Sequence, residues 1–426
     1  MPACGGAGGS PPDTPRSLDS DASTALPVEP PVEDLVRQGL SELLLQAPLA
    51  EIFARESEDT AAVMSGIVAC LPALEPMVRS RIVSVLVEHR EPNFPSQRRQ
   101  EAAALVHRLF VTCEGEDLLR LKQLVDRAGK GRDLPSVCNA LSAALRDSLM
   151  EHFASEGLRL ETKPIKVLSD IDMTIWVGKY GVGGPKFPKG PIPGALSLFE
   201  TLSEDITFLS ARPPLWEGRT RSALLDNIGI AEARILPGTL RNVARVLVQP
   251  EVARQAMGEQ KEKVFNEFAL LHPEARFVFF GDSGEGDVGF AANFVRGDER
   301  VALIHDVVGA DGVTPKTSAE QRLSLAEQGV HFFDTYVGAA LQLYRLGILE
   351  ESRLLRAAER CSEEFYELAP ESFSSLDVFC AREKELKADL AALSEELVQR
   401  PSGLAAVCGE TRVLPCGEAG RRRPGG

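Results

Sequence analysis

The spacing of apolar residues changes once along the chain, near residue 160. Before that point leucine, isoleucine and valine recur at intervals of three and four, as in LVRQGLSELLLQAPLAEIFA and RSRIVSVLVEHR. Such spacing gathers the apolar side chains on one face of a helix. We therefore predict an all-α helical domain over residues 33–160. It carries no catalytic constellation, so we interpret it as a packing domain or a surface for a protein partner.

Short apolar runs replace the helical spacing after residue 160 and alternate with helical stretches. The runs are KVLSD, DITFLSA, ARILPG, RFVFFGD and VALIHDVV, and most of them end in polar or turn-forming residues. Strands and helices that alternate in this way form a parallel sheet with helices on both faces. The pattern predicts an α/β, Rossmann-like domain over residues 161–348, followed by C-terminal helices over 349–400.

The two ends of the chain lack these patterns. Residues 1–32 and 401–426 are rich in small and polar residues, and we predict that both are disordered tails. The N-terminus has no basic stretch followed by an apolar run, so no signal peptide is expected. No apolar run reaches the length of about 18 residues that predicts a transmembrane segment.

Charge and cysteine content narrow the classes of function. The formal net charge of -15 argues against a nucleic-acid partner, because no positive field gathers phosphates. The eight cysteines form no C-x-x-C pair, and with six dispersed histidines they give no zinc-ligand spacing. This cysteine usage fits a reducing compartment, so we expect a cytoplasmic protein whose membrane contact, if any, is peripheral.

Two carboxylates follow the first apolar run of the α/β region, in the sequence DIDMT. Asp170 and Asp172 lie two positions apart on the turn that leaves the predicted strand. Phosphoryl transfer needs an in-line nucleophile and a divalent cation that offsets the charge of the phosphate. Asp170 is suited to attack with one oxygen and to hold Mg²⁺ with the other. Asp172 is suited to act as the acid and base.

Phosphate-binding candidates follow the later runs. Ser210 ends the run FLS, where its hydroxyl and nearby N–H groups can hold a phosphate oxygen, and Arg212 adds positive charge beside it. A lysine on the helix before RFVFF, either Lys261 or Lys263, can offset the negative charge of nucleophile and phosphate.

The last motif is GDSGEGD, which follows RFVFF. Asp282 and Asp287 are hard oxygen ligands suited to Mg²⁺, and the glycines let the loop turn tightly. Each motif alone occurs by chance, as a turn, a cap or a solvated side chain. Their order along successive predicted strand ends is far more specific and indicates a magnesium-dependent phosphatase.

This order of motifs resembles that of the haloacid dehalogenase (HAD) superfamily over about residues 164–310. DIDMTI, LSARPP and FVFFGDSGEGD are similar to the catalytic domain of actin-patch phosphatidate phosphatases, which are relatives of the lipins. The resemblance implies a HAD-like domain over 161–348 with a minimal cap and an aspartyl-phosphate formed on Asp170. It implies that Mg²⁺ is held by Asp170, Asp172 and Asp282, and that Asp287 either ligates the ion as well or contacts its ligands.

The resemblance also implies supporting roles. Asp172 would offer its backbone carbonyl to Mg²⁺ as well as its carboxylate to the proton transfers. Counting back from Pro273 favours Lys261 as the catalytic lysine, with Lys263 in reserve. The expected phosphate-binding residues are Thr174, Ser210, Arg212 and Lys263. Met173 departs from the pattern, because relatives carry Asp or Gly at that position.

The segment between the first two motifs bears on the substrate. Residues 175–193 are rich in Gly and Pro, too short for a large cap, and contain no acidic residue. Their charged and aromatic residues are Lys179, Lys186, Lys189, Trp176, Tyr180 and Phe187. Positive charge and aromatic rings suit an anionic lipid surface, although they would equally serve a soluble phosphate.

Three functions therefore remain in view. The leading one is a phosphatase for phosphatidate or another lipid phosphate at a membrane surface, with Mg²⁺ as cofactor. The first alternative is a phosphatase for soluble or protein phosphoesters. The second is a scaffold without catalytic activity that binds lipid or protein through a HAD fold. The retention of Asp170, Asp172, Asp282 and Asp287 argues against the scaffold.

Overall fold

A computed structural model describes most of the chain between residues 39 and 399. The described residues are 39, 42–54, 58–88, 96–129, 131–178, 186–203, 206–210, 217–230, 234–236, 250–284, 286–297 and 299–399. Outside them lie the two predicted tails, 1–32 and 401–426, and Lys179, Tyr180, Arg212 and Trp216. None of the helices in the described ranges combines the length and apolar character that a membrane span requires.

The segment before the first strand is helical, as its apolar spacing predicts. Its helices are α1 (Leu49–Ala54), α2 (Glu58–Cys70), α3 (Pro76–Glu88), α4 (Ser96–Val111), α5 (Gly115–Arg127), α6 (Leu134–Ala140) and α7 (Ala143–Arg159). Their apolar faces meet in one core, where Val78, Leu109, Phe110 and Leu121 are fully buried. This burial of apolar surface stabilises the helices, which alone would be marginal in water.

A buried arginine ties the ends of these helices together. The Arg79 guanidinium, on α3, donates to the backbone oxygen of Leu74 at 2.9 Å and to that of Leu109 at 2.6 Å. It also donates to the backbone oxygen of Leu71. Leu109 lies in the last turn of α4, where a carbonyl has no partner within the helix, so the guanidinium satisfies an acceptor that burial would otherwise leave unpaired.

The α/β region contains a six-stranded parallel sheet, which confirms the predicted mixed α/β class. In sequence order the strands are β1 (Ile165–Ser169), β4 (Ile206–Leu209), β5 (Arg234–Leu236), β6 (Arg276–Asp282), β7 (Arg300–His305) and β8 (Val330–Phe333). Their order in the sheet is β5-β4-β1-β6-β7-β8. The chain moves outward from β1 to β5 and then crosses back to β6. In such sheets ligands bind at the carboxyl ends of the strands where the order reverses, here around β1.

Alternate residues of each strand enter two different cores. Val167 and Phe280 belong to the core on one face of the sheet, whereas Leu168 and Phe279 belong to the core on the other. The first face is covered by α8 (Ala195–Leu202), α13 (Tyr336–Arg345), α14 (Glu351–Glu367) and α15 (Leu376–Gln399). The second is covered by α10 (Pro250–Leu270) and α11 (Asp287–Phe294). Because both faces are covered, the strands are continuous apolar runs.

The α/β region also contains a short ribbon and further helices. A two-stranded antiparallel ribbon pairs β2 (Trp176–Val177) with β3 (Gly190–Pro191) after the DIDMT turn. Among the described residues, this region also contains α9 (Glu217–Ile228) and α12 (Ala319–Ala326).

The helical segment packs on the α/β region through buried charges. Lys122 of α5 lies 2.7 Å from the Glu274 carboxylate, and His272 Nε2 lies 3.0 Å from the Asp126 carboxylate. Leu271, at the end of α10, is part of the helical core. An added Cβ at Gly157 would lie 3.0 Å from the Glu274 backbone, so the two regions are in close contact.

The charges of this interface act on one another. Burial alone would raise the pKa of Glu274, but Lys122 and His272 lower it to about 2. For Lys122 the balance differs, because burial lowers its pKa against the attraction of Glu274. Lys122 Nζ lies 2.8 and 2.7 Å from the two oxygens of Glu274, and His272 faces the same carboxylate. The Glu274 carboxylate is therefore ionised near neutral pH.

Glu274→Gln should destabilise the fold in a pH-dependent way. At pH 7 the substitution leaves the Lys122 ammonium buried without its counter-charge, which costs on the order of 3 kcal/mol. The folded pKa of Glu274 lies below the ordinary value of 4.5, so its contribution is present above pH 4.5 and is lost as pH falls toward 2. Urea unfolding of both proteins should show the difference in unfolding free energy shrinking over that range.

Glu299→Gln is the matched control, because Glu299 lies in exposed ion pairs with Lys163 and Arg276. Its effect should stay below about 1 kcal/mol at every pH. If Glu274→Gln lowered the unfolding free energy by the same amount at neutral and acid pH, Glu274 would not be stabilised as a carboxylate in the folded protein.

Candidate active site

Three aspartates converge at the carboxyl edge of the sheet, beside β1. Asp170 follows β1, and its N–H donates to the Phe280 carbonyl of β6 at 2.8 Å. Asp282 ends β6, and Asp287 begins α11. One carboxylate oxygen of each lies within 4.8 Å of the others, and all three side chains are buried. Three buried carboxylates form a hard-oxygen donor set of the kind that Mg²⁺ prefers.

A buried lysine joins two of these carboxylates. Lys261 Nζ, on α10, lies 2.8 Å from Asp170 Oδ1 and 2.5 Å from Asp287 Oδ1. Burial disfavours the ammonium, but the two carboxylates overcome that effect and raise the pKa of Lys261 above its ordinary value. The lysine is thus a fixed positive charge beside the predicted nucleophile.

The electrostatics of Asp287 show how crowded the negative charge is. Burial raises the pKa of Asp287 to about 6, Lys261 opposes that rise, and the Asp170 carboxylate adds to it. The Asp282 N–H also donates to Asp287 Oδ2 at 3.3 Å. Lys261 therefore offsets only part of the charge that the aspartates bring together.

Glycines make room for this cluster. A Cβ added to Gly281 would lie 2.6 Å from Asp287 Oδ2 and 2.7 Å from the Phe279 ring, closer than real Cβ atoms approach. Gly286 has φ of 91° at the start of α11, a left-handed conformation that side chains disfavour. The glycines of GDSGEGD thus serve the close approach of β6 to Asp287.

The DIDMT segment forms a tight turn closed by its own backbone. Ile175 N and Trp176 N both donate to the Ile171 carbonyl, at 3.1 and 3.2 Å, and Met173 N donates to the Trp176 carbonyl at 2.9 Å. Met173 has φ of 57° and a buried side chain. That left-handed conformation favours Gly, Asn or Asp, so methionine adopts it at a cost in backbone energy.

Asp172 and Thr174 have different surroundings on this turn. Asp172 is half-buried, and its Oδ1 lies 3.1 Å from where a Cβ on Gly178 would be, so Gly178 leaves space beside the carboxylate. Thr174 is fully buried, and its carbonyl accepts a hydrogen bond from the Tyr336 hydroxyl at 2.7 Å. Thr174 is thus a buried part of the turn, and its contact with a phosphate stays a prediction.

Ser210 lies where it was predicted, at the end of β4 next to β1. Its side chain is buried, and its N–H donates to the Leu236 carbonyl at 3.0 Å, which continues the pairing of β4 with β5. Arg212, predicted to contact phosphate beside Ser210, lies outside the described residues.

Two lysines lie elsewhere than predicted. One was expected to contact phosphate from α10, and the other was expected to be exposed on segment 175–193. Lys263 is exposed and lies two residues from Lys261, roughly 200° around α10, so it faces away from the aspartates. Lys186 is buried and lies 3.2 Å from the Asp334 carboxylate and 3.6 Å from that of Glu385. Phe187 is buried as well, whereas Lys189 is exposed.

The sequence interpretation missed further acidic residues at strand ends. Asp306 follows β7 and accepts hydrogen bonds from Ser283 Oγ at 2.5 Å and Thr317 Oγ1 at 2.7 Å. Asp334 follows β8 and accepts from Arg322 at 2.9 Å. The signal that singled out Asp170, an acidic residue directly after an apolar run, also applies to Asp306 and Asp334. Their hydrogen bonds give them a structural role at the same edge.

Lys261→Met should destabilise the protein far more than Lys263→Met. Without the Lys261 ammonium, Asp170 and Asp287 remain buried without a counter-charge, which costs about 3 kcal/mol or more at neutral pH. Lys263 is exposed, so its replacement should change the unfolding free energy by less than about 0.5 kcal/mol. Urea unfolding measures both variants, and equal effects would contradict the central position of Lys261.

Gly281→Ala should disturb the carboxylate cluster, because its methyl group would collide with Asp287. We expect a loss of about 1–3 kcal/mol in unfolding free energy and weaker binding of Mg²⁺, measured by urea unfolding and titration calorimetry. Gly289→Ala is the control, since nothing lies within 4 Å of its added Cβ. It should stabilise α11 by up to about 1 kcal/mol. A Gly281→Ala protein as stable as Gly289→Ala would rule out the tight contact.

Comparison with known proteins does not assign the chain to a family. A scan against protein-family models, a search of curated proteins and a search of solved structures each found no match to the chain.

Proposed function

We propose that this chain is a magnesium-dependent phosphatase of the HAD type that works through an aspartyl-phosphate on Asp170. The observation that carries the proposal is the buried group of Asp170, Asp282 and Asp287 with the Lys261 ammonium between two of them. It lies at the carboxyl edge of a parallel sheet, where the strand order reverses. The order of sequence motifs gives each member a role.

The donor set supports Mg²⁺ as the cofactor. Asp170, Asp282 and Asp287 would hold the ion through carboxylate oxygens, and the backbone carbonyl of Asp172 would complete the set that the motif implies. When bound, the ion would neutralise charge on the oxygens of the transferring phosphoryl group. The lack of sulfur and imidazole ligands in this group of residues argues against zinc.

The reaction would have two halves. A carboxylate oxygen of Asp170 attacks phosphorus, the bond from phosphorus to the leaving oxygen breaks, and Asp172 gives that oxygen a proton. Asp172 then takes a proton from water, whose oxygen attacks the aspartyl-phosphate. The bond between phosphorus and Asp170 breaks, and inorganic phosphate leaves. Both carboxylates return to their first state.

The other residues would prepare these steps. Lys261, with its Nζ 2.8 Å from Asp170 Oδ1, would offset the charge of the incoming phosphate. Ser210, at the neighbouring strand end, would donate to a phosphate oxygen. Asp172 is less buried than Asp170, as suits a group that exchanges protons with the leaving group and water.

For the substrate we propose phosphatidate or another lipid phosphate, with access from a membrane surface. The support is the family resemblance and the short segment 175–193, whose described residues form only the small β2–β3 ribbon. Lys189 is exposed directly before β3 and can face an anionic surface. Lys186 and Phe187 no longer count toward this proposal, because both are buried.

The proposal predicts Mg²⁺-dependent phosphate release from phosphatidate in mixed vesicles, lost in Asp170→Asn. Replacing the nucleophile should lower the rate by on the order of 10³-fold or more. Asp147→Asn is the control, because Asp147 is exposed on α7, and it should keep the wild-type rate. Phosphate release is measured with and without Mg²⁺ for all three proteins.

A soluble phosphate ester separates the alternatives. Release from the soluble ester alone would keep Asp170 as the nucleophile and remove the lipid substrate. If folded protein released no phosphate from either substrate in the presence of Mg²⁺, the proposed enzymatic activity would be wrong and the binding scaffold would be favoured.

A further inference from the structure

Two side chains from distant parts of the chain hold the backbone of the DIDMT turn. His305 Nδ1, at the end of β7, lies 2.8 Å from the Met173 carbonyl oxygen. The Tyr336 hydroxyl, at the start of α13, donates to the Thr174 carbonyl at 2.7 Å. Both side chains are about 1% exposed. Successive carbonyls directly after Asp172 therefore receive buried hydrogen bonds.

The acceptor fixes the tautomer of His305. A carbonyl oxygen can only accept, so Nδ1 must carry the proton and Nε2 must be unprotonated in the neutral ring. Burial, with a contribution from the charge of Lys186, lowers the pKa of His305 to about 3, so the ring is neutral. The ring stacks on Phe333 and Phe187, with centroids 5.4 and 6.3 Å away. Apolar stacking suits a neutral ring.

His305 also pairs through its backbone with the second carboxylate loop. It lies opposite Asp282 in the register of β6 and β7, and its carbonyl accepts from Ser283 N at 3.1 Å. One residue thus contacts the turn of Asp172 through its side chain and the loop of Asp282 through its main chain.

The turn needs such support because Met173 has a left-handed backbone. For a residue other than glycine this conformation costs roughly 1–2 kcal/mol, so a rotation of the adjoining peptide would relieve it. A donor at the Met173 carbonyl opposes that rotation. Since this peptide begins one residue after Asp172, its orientation sets where Asp172 points.

We propose that His305 is a positioning residue, with Tyr336 as its second donor, that fixes the turn carrying Asp172 relative to Asp282. The catalytic consequence rests on the proposed function, but the structural role does not. His305 touches no reacting atom and acts through the Met173 carbonyl.

Asparagine and glutamine separate the hydrogen bond from simple packing. The amide nitrogen of Asn reaches the place of Nδ1, whereas that of Gln reaches the place of Nε2. His305→Asn should therefore keep the donor to Met173, and His305→Gln should lose it. Packing alone would favour Gln, whose volume is closer to that of histidine.

Hydrogen exchange at the amides of Met173, Ile175 and Trp176 tests this without any activity. Exchange should be about tenfold faster in His305→Gln than in wild type, the effect of losing one buried hydrogen bond, and close to wild type in His305→Asn. Variants of His152, which contacts a carbonyl in the helical domain, should not change it. Equal exchange in the Asn and Gln variants would overturn the proposal.

Steady-state kinetics with the best substrate test the positioning role of His305 in a second way. His305→Gln should lower kcat by roughly 10- to 100-fold with KM within about twofold, and His305→Asn should recover most of the loss. A wild-type protein without phosphatase activity would refute the proposed function, while exchange would still decide the role of His305. If both variants fail to fold, nitrogen NMR of wild-type His305 decides, because protonation on Nε2 would overturn the proposal.

Discussion

Repulsion among buried carboxylates is the constraint on which this site depends. Asp170, Asp282 and Asp287 come within reach of one cation in a place that water does not screen. In such surroundings like charges cannot all remain ionised without compensation. Burial is the main cause of the raised pKa of Asp287, and the Asp170 carboxylate adds to it. Lys261 compensates part of the charge, and a divalent cation would compensate the rest. The cluster is stable only while α10 holds Lys261 between Asp170 and Asp287.

This requirement connects the helical segment to the site. Helix α10 carries Lys261 at its middle, and its C-terminal end enters the interface with the helical segment. There Leu271 joins the helical core, while His272 and Glu274 pair with Asp126 and Lys122. A helix fixed at that end has little freedom to shift along its axis. The buried interface charges therefore bear on the geometry of the carboxylates, although none of them lies in the cluster.

Some strands and site residues could be predicted from the sequence and others could not, and both outcomes have physical reasons. The apolar runs of β1 and β6 are long and end in carboxylates, so pattern alone located Asp170 and Asp282. Strand β8 was missed because VHFF is only four residues long and is interrupted by His331. The choice of Lys261 over Lys263 needed the rotation of α10 relative to the sheet, and the burial of Lys186 needed Asp334 and Glu385, far along the chain. The donors at Met173 and Thr174 are equally distant in sequence, so no local pattern indicates His305 or Tyr336.

Met173 shows why a departure from a motif need not change its geometry. Its left-handed backbone is the conformation that Gly or Asp would adopt easily, and here it is adopted at a cost of roughly 1–2 kcal/mol. The Met173 side chain is buried, and burial of a side chain of this size contributes about 1.5–3 kcal/mol. Burial thus offsets the backbone strain, and the hydrogen bond from His305 fixes the orientation of the peptide. A glycine would remove the strain but also the buried contact, so the turn would be easier to form and less firmly held. Met173 therefore holds the turn that carries Asp172 through a balance between backbone strain and burial of its side chain.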